Sequence, residues 1–224
     1  VLAALHRATV ALIGLGLALL VVAFALYPGG TWWDRTEDGA SWLDTFLCDL
    51  TMNPALDGRP NPLGALAGQV GLALFALALA VTWELVRRVP GEFSPRPARA
   101  AGVLGLIGFP PLVWALVTPG DRLHAMAVGI AVCAATAALV LTLLAALRAR
   151  EAGRAVLVLG GLVFACVVVS MALYWPTLVD QELAVRGLPA VQKLALVLLA
   201  AFLVVVVRAS ARGVRCMPTT AMLG

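Results

Sequence analysis

Charge is what this chain has least of. Asp, Glu, Lys and Arg make up 12% of its 224 residues, against 62% hydrophobic residues and a mean hydropathy of +0.99. Soluble domains carry roughly a quarter charged residues, so an ordinary soluble or disordered chain is excluded. Lysine occurs once, at Lys193, and the arginines stand scattered between apolar runs. The basic faces of a soluble nucleic-acid binder are therefore missing. Cysteine is sparse too: Cys48, Cys133, Cys166 and Cys216 fall in separate parts of the chain and make no disulfide framework. There is no collagen-like repeat, and no series of short alternating segments of the kind a transmembrane β-barrel needs.

What is present is a set of long apolar runs. A helix needs about 20 mostly apolar residues to cross the hydrocarbon core. Six runs qualify: about 8–27, 63–86, 101–118, 123–147, 154–175 and 189–208. The run from Leu196 to Val207 is apolar on every side, as a spanning helix is. The first run is too long and Leu-rich for a cleaved signal and is expected to be a permanent helix. The expected fold is thus all-α: a polytopic membrane protein, one six-helix transmembrane bundle over residues 1–224.

Arginine and lysine set the orientation. With the N-terminus on the cytoplasmic side, that side carries Arg7, Arg87, Arg88, Arg96, Arg99, Arg148, Arg150, Arg154, Arg208, Arg212 and Arg215. The other side carries Arg35, Arg59, Arg122, Arg186 and Lys193. The acids are biased oppositely, with Glu84, Glu92 and Glu151 inside and Asp34, Glu37, Asp38, Asp44, Asp49, Asp57, Asp121, Asp180 and Glu182 outside. Eleven cations against three acids leave a surplus of eight positive charges inside, and five against nine leave four negative charges outside. The positive-inside rule then places both termini in the cytoplasm, and the basic inner face suits anionic headgroups.

The span interiors hold little chemistry. Ionisable residues deep in a bilayer mark ion paths or relays, and here Glu84 and Lys193 stand near span ends, which argues against a proton pump or ion-coupled transporter. Gln69, Thr136, Thr142 and Ser170 are read as interhelical or back-bonding polar groups. Gly108-Phe109-Pro110-Pro111 should kink or break the third span, because proline lacks a donor and collides with the preceding turn. Broken helices form substrate sites in some transporters; without a matching break elsewhere, a packing kink is the favoured reading.

The first outer loop, 28–62, is the only connection long enough to fold into something of its own. Pro28-Gly29-Gly30 ends the first helix, and Trp32 and Trp33 stand where an aromatic belt is expected. Between Ser41 and Leu50 the apolar residues Trp42, Leu43, Phe46, Leu47 and Leu50 follow a helical stripe, with Ser41, Asp44, Thr45, Cys48 and Asp49 opposite. This spacing predicts a short amphipathic helix, N-capped by Ser41, with Asp44 completing a near capping box.

At these residues the chain resembles a known family. Tyr27-Pro28-Gly29-Gly30-Thr31 with Asp34 close behind, Ser41-Trp42-Leu43 leading into Phe46-Leu47-Cys48-Asp49-Leu50, and Asp57-Gly58-Arg59-Pro60-Asn61-Pro62 look like the first outer loop of a prokaryotic six-helix membrane family. It is catalogued as domain of unknown function number 998, and is distantly similar to the DRAM and Frag1-type six-helix proteins. Cys48-Asp49-Leu50-Thr51 stands where the family pattern has Ser-Asp-Leu-Gly. The resemblance implies a fold and a bacterial or archaeal cytoplasmic membrane, and very little about activity.

Two functional readings follow. The favoured one is a non-catalytic accessory or scaffold subunit that binds lipid and a membrane partner, within a larger complex or a homo-oligomer. Trp32, Trp33, Trp42, Phe46 and Trp175 are its contact residues, because aromatic anchors at one face suit lipid or protein contacts. No nucleic acid is expected. The alternative is a membrane-embedded enzyme or carrier for lipid-like substrates, using Asp44, Asp49 and His124 as acids and base. No catalytic motif spacing supports it. His124 with Asp121 is a weaker candidate for a divalent metal, and His124 alone for a pigment ligand; an interfacial polar histidine is the favoured reading.

Overall fold

The structure, a computed structural model, describes residues 2–117, 122–148, 153–179 and 185–215. Among them the chain is helical throughout, apart from loops and one isolated antiparallel bridge between Gly29 and Asp38. The helices are α1 (Leu2–Leu26), α2 (Pro62–Arg88), α3 (Pro95–Ile107), α4 (Phe109–Val117), α5 (Arg122–Leu147), α6 (Arg154–Val179) and α7 (Leu188–Arg215).

Each boundary has a local cause. Helix α1 stops where Pro28 and two glycines at φ 149° and 81° follow. Prolines open α2 and α3, where the missing N–H has no intrahelical partner anyway. This is why the third span starts at Pro95, six residues before the apolar run that predicts it. Between α3 and α4 the expected break is present at Gly108. Pro110 and Pro111 supply no N–H to Leu106 and Ile107, while Gly108 N–H still bonds Leu104 at 3.2 Å and Leu112 N–H bonds Gly108 at 3.3 Å. The ladder is interrupted for two residues and resumes, so α3 and α4 form one interrupted span.

Six rods are long and apolar enough to span a membrane: Ala4–Leu26, Pro62–Arg88, Pro95–Leu116, Leu123–Leu147, Arg154–Trp175 and Leu188–Ala211. At 1.5 Å per residue the shorter ones, of 22 residues, reach roughly 33 Å, enough for a hydrocarbon core of about 30 Å. They pack in chain order. Helix α1 lies on α2, α2 on α3, α3 and α4 on α5, α5 on α6, and α6 on α7, while α7 returns to α1 and α2 and closes the ring. Phe75, Trp83, Val86, Val156, Phe202, Leu203 and Val206 fill the interior. Residues such as Val21 and Leu63 point outward, as a lipid-facing surface requires. Helices α1 and α2 touch at glycines: a Cβ at Gly71 would lie 2.9 Å from the Gly16 carbonyl oxygen. Thr136 and Thr142 back-bond to Val132 and Ala138, as expected, Gln69 bonds out of its helix to the Thr51 carbonyl at 3.2 Å, and Ser170 departs from the expectation, its buried Oγ having no partner among the described residues.

One expectation for the loop fails. The continuous amphipathic helix read across Ser41–Leu50 is absent; that stretch forms one turn at Ser41–Thr45 and a 3-10 helix at Asp49–Thr51. The predicted N-cap is nevertheless there, with Asp44 N–H donating to Ser41 Oγ at 3.2 Å and Thr45 N–H to the Ser41 carbonyl at 3.1 Å, but the near capping box is not, because Ser41 N–H donates to Thr45 Oγ1 at 2.9 Å. The helix stops after this first turn because its next bonding groups are claimed elsewhere.

Candidate functional site

The loop between α1 and α2 folds into a cap over one end of the ring. Its first half is a backbone clasp. Gly30 N–H bonds the Glu37 carbonyl and Gly39 N–H the Pro28 carbonyl, both at 2.8 Å. Tyr27 closes the clasp from below: its hydroxyl donates to Gly30 O and accepts from Leu56 N–H, each at 3.2 Å. Burial raises the Tyr27 phenol to about 12, so it remains a donor at any physiological pH. Arg59 laces the rim, reaching Asp57 at 2.5 Å, Asp38 at 2.8 Å and the Pro28 carbonyl.

The second half, 41–51, is held by two buried charges. Lys193, one turn inside α7 and 3% exposed, sends its ammonium to the carbonyls of Trp42 at 2.8 Å, Thr45 at 2.5 Å and Ser41 at 3.4 Å. The same ammonium stands 5.4 Å from the Trp42 ring centre and 5.7 Å from that of Phe24, and these two rings meet edge to face at 6.2 Å. Asp49, wholly buried, accepts from Phe46 N–H at 2.8 Å and from the Trp32 indole N–H at 3.2 Å. In an α-helix Phe46 N–H would bond Trp42 O, and Asp49 N–H would bond Thr45 O. Both of those carbonyls face Lys193 instead, and Phe46 N–H faces a carboxylate. A cation and an anion have replaced the helix's own hydrogen bonds.

Packing fixes the arrangement. Trp33 stacks on Phe46 at 6.0 Å, and Leu50 sits against α2, where a Cβ at Gly68 would lie 2.8 Å from the Leu50 carbonyl oxygen. Thr51 ties back to the Cys48 carbonyl at 2.7 Å, and Asn61 reaches Met52 and Asn53 before α2 begins. Burial raises the Asp49 carboxyl to about 6, opposed by its bonds to Phe46 and Trp32 and by the charges of Lys193 and Arg35. Burial beside Asp49 also pushes the Cys48 thiol upward, which makes it a poor nucleophile.

The residues singled out from the sequence are distributed as follows. Asp44 and Asp49 both lie within electrostatic reach of Lys193. His124 stands elsewhere in the bonding pattern: its Nδ1 is 2.9 Å from the Ala115 carbonyl oxygen, joining α5 to α4 and fixing the proton on Nδ1. Among the described residues no three His, Cys, Asp or Glu side chains gather as metal ligands, and Asp121 lies outside them. Phe46 is buried and Trp33 half-buried, while Trp32, Trp42 and Trp175 are 40%, 57% and 69% exposed. Lys193 is the residue of this cluster that the sequence does not single out as a site. Its signal was present: it is the single lysine, standing a turn inside a span.

No family model, curated protein or solved structure matches this chain.

Proposed function

We propose that this is a non-catalytic integral membrane protein, an accessory or scaffold subunit that uses the cap to contact lipid and a membrane partner. The observation that carries the reading is where the buried charges spend their bonds. Lys193 and Asp49, two of the groups a reaction could recruit, are both committed to the loop backbone. Fastened in this way, the cap presents Trp42 and Leu43 outward, at 57% and 58% exposure, with Trp32 beside Arg35 and Trp175 at the end of its span. Rigid aromatic and aliphatic groups on a braced loop suit a contact surface.

Positive-inside asymmetry supports a cap on the outer face of a bacterial or archaeal cytoplasmic membrane, with both termini inside. The motif resemblance of Tyr27–Pro62 to the six-helix family of unknown function belongs to the same reading. A cysteine at Asp38, whose side chain is 89% exposed, tests the orientation: a membrane-impermeant maleimide should label it in intact cells. A photo-reactive residue at Leu43 tests the contact. One defined protein adduct in native membranes is expected, lost in Trp42→Ser; the absence of any protein adduct at positions 32, 42, 43 and 175 would sink the scaffold reading.

The second reading, an enzyme or carrier for lipid-like substrates working with Asp44, Asp49 and His124, draws on one observation. Asp44 Oδ1 is buried without a hydrogen-bond partner among the described residues. A lipid-modifying or transport activity lost in Asp49→Asn while assembly persists would favour it.

A further inference from the structure

The buried charges of the cap do not balance. Asp49 is shut from water, yet only two N–H groups reach its oxygens, beside the Cys48 thiol at 4.0 Å. An ionised carboxylate has about four acceptor sites. Lys193 gives its hydrogen bonds to carbonyls, and no ion pair within 4.0 Å joins it to a carboxylate among the described residues. Asp44 faces the same ammonium and leaves one buried oxygen unpartnered. The remaining groups around Asp49 are Arg35 on the loop, the neutral Tyr27 phenol at the end of α1, and the Cys48 thiol, which Tyr174 of α6 faces in turn. From α2 the loop meets the uncharged Gln69. Two carboxylates thus share one buried ammonium, and a buried carboxylate served by two N–H groups and one weak thiol donor is costly in its charged form.

We propose that segment 41–51 is a proton-linked seat: docked against the helix ends, it takes up a proton on Asp49, so that acid tightens the cap. The direction follows from where the proton binds better. Seated, the Asp49 carboxyl titrates at about 6; lifted into water it returns to its ordinary value of 3.8. Between those values the seated form holds more protons than the lifted one, so seating gains as pH falls through about 6 and the gain is complete below 3.8. Above about 6 both forms are ionised and this contribution is absent. The neutral carboxyl still offers an oxygen to Phe46 N–H, so protonation keeps the turn and removes the uncompensated charge. On an outward-facing cap the group would respond to external acidity. The proposal is independent of the scaffold reading, because it concerns only how the loop seats.

Hydrogen exchange of the full chain in phosphatidylethanolamine and phosphatidylglycerol nanodiscs, corrected for intrinsic rates, reads the lifting of the segment at the Phe46 amide. From about pH 7 to about pH 5 the lifted population should fall about tenfold, while amides in the middle of α2 keep their protection. Asp49→Asn should flatten the profile. A flat wild-type profile overturns the proposal, and so does a pH dependence that survives in Asp49→Asn, since another group then carries the proton. If the variant does not fold, the infrared carboxyl band of 13C-aspartate-labelled wild type provides a second arm. A protonated-carboxyl band that grows as pH falls through about 6 supports the seat; its absence down to about pH 5 overturns it.

Discussion

The charges inside the cap and those at the arginine-rich end of the bundle are handled in opposite ways. At the arginine-rich end Glu84 pairs with Arg87 at 2.7 Å and with Arg88, three and four residues along its own helix, and all three side chains are between 31% and 68% exposed. At the cap end Lys193 and Asp49 are 3% and 0% exposed, and each bonds to backbone of a distant or irregular segment. Exposed pairs of neighbours hold little, because water already solvates both partners and one helix turn already places them together. A buried charge that bonds across the fold has no such alternative. It must keep its partners or force the structure open. The buried Lys193 and Asp49 are thus where single charged residues decide conformation, whereas exposed pairs such as Glu84 with Arg87, or Arg59 with Asp38 on the rim of the cap, decorate it.

Substitutions separate the two ends by size of effect. Lys193→Met should be the most damaging, at about 3–5 kcal/mol, because it strips the cation from three carbonyls and two rings at once. Hydrogen exchange should then show 41–51 unprotected while α2 and α7 remain protected; a cap that stays closed would break the contrast. Asp49→Ala should follow at roughly 2–3 kcal/mol, since it leaves the Phe46 amide and the Trp32 indole without an acceptor. Trp32 fluorescence, read in a chain with the other tryptophans replaced by Phe, should shift to the red as the indole meets water.

Gly68→Val should cost about 1–3 kcal/mol through overpacking, because a Cβ there meets the Leu50 carbonyl at 2.8 Å. Its thermal melting in detergent should fall below that of Gly14→Ala, a site with open space around the added carbon. Trp42→Ala should cost about 1 kcal/mol, from lost cation–π and edge-to-face contact. Glu84→Gln is the control: its melting temperature should coincide with that of wild type. A large drop there would erase the difference between the ends.

Much of the architecture was legible along the chain because its causes are local. Pro28-Gly29-Gly30 ends α1 and the Gly108–Pro111 stretch interrupts the third rod, each by removing donors or freeing φ at the residue itself. Ser41 caps a turn just as locally, its Oγ accepting the Asp44 N–H. The candidate site was only half legible. The acids at 44 and 49 stood out in a polar loop, whereas Lys193 looked like a charge at the end of a span. The carbonyls it reaches lie about 150 residues earlier in the chain, and no spacing rule connects them. Asp44, Asp49 and His124 looked like one constellation only because the topology puts them at the same end; the fold gives His124 to Ala115 instead.

Segment 41–50 marks the boundary between the two kinds of information. The six spans and their order were determined by the sequence alone, because a run of about 20 apolar residues has no other way to satisfy its backbone in a membrane. Whether Ser41–Leu50 became a helix was decided only by the tertiary structure. Its apolar stripe is helical, but Lys193 arriving from α7 and Asp49 folding back supply stronger, charge-assisted partners for the same carbonyls and the same N–H, and the backbone takes them.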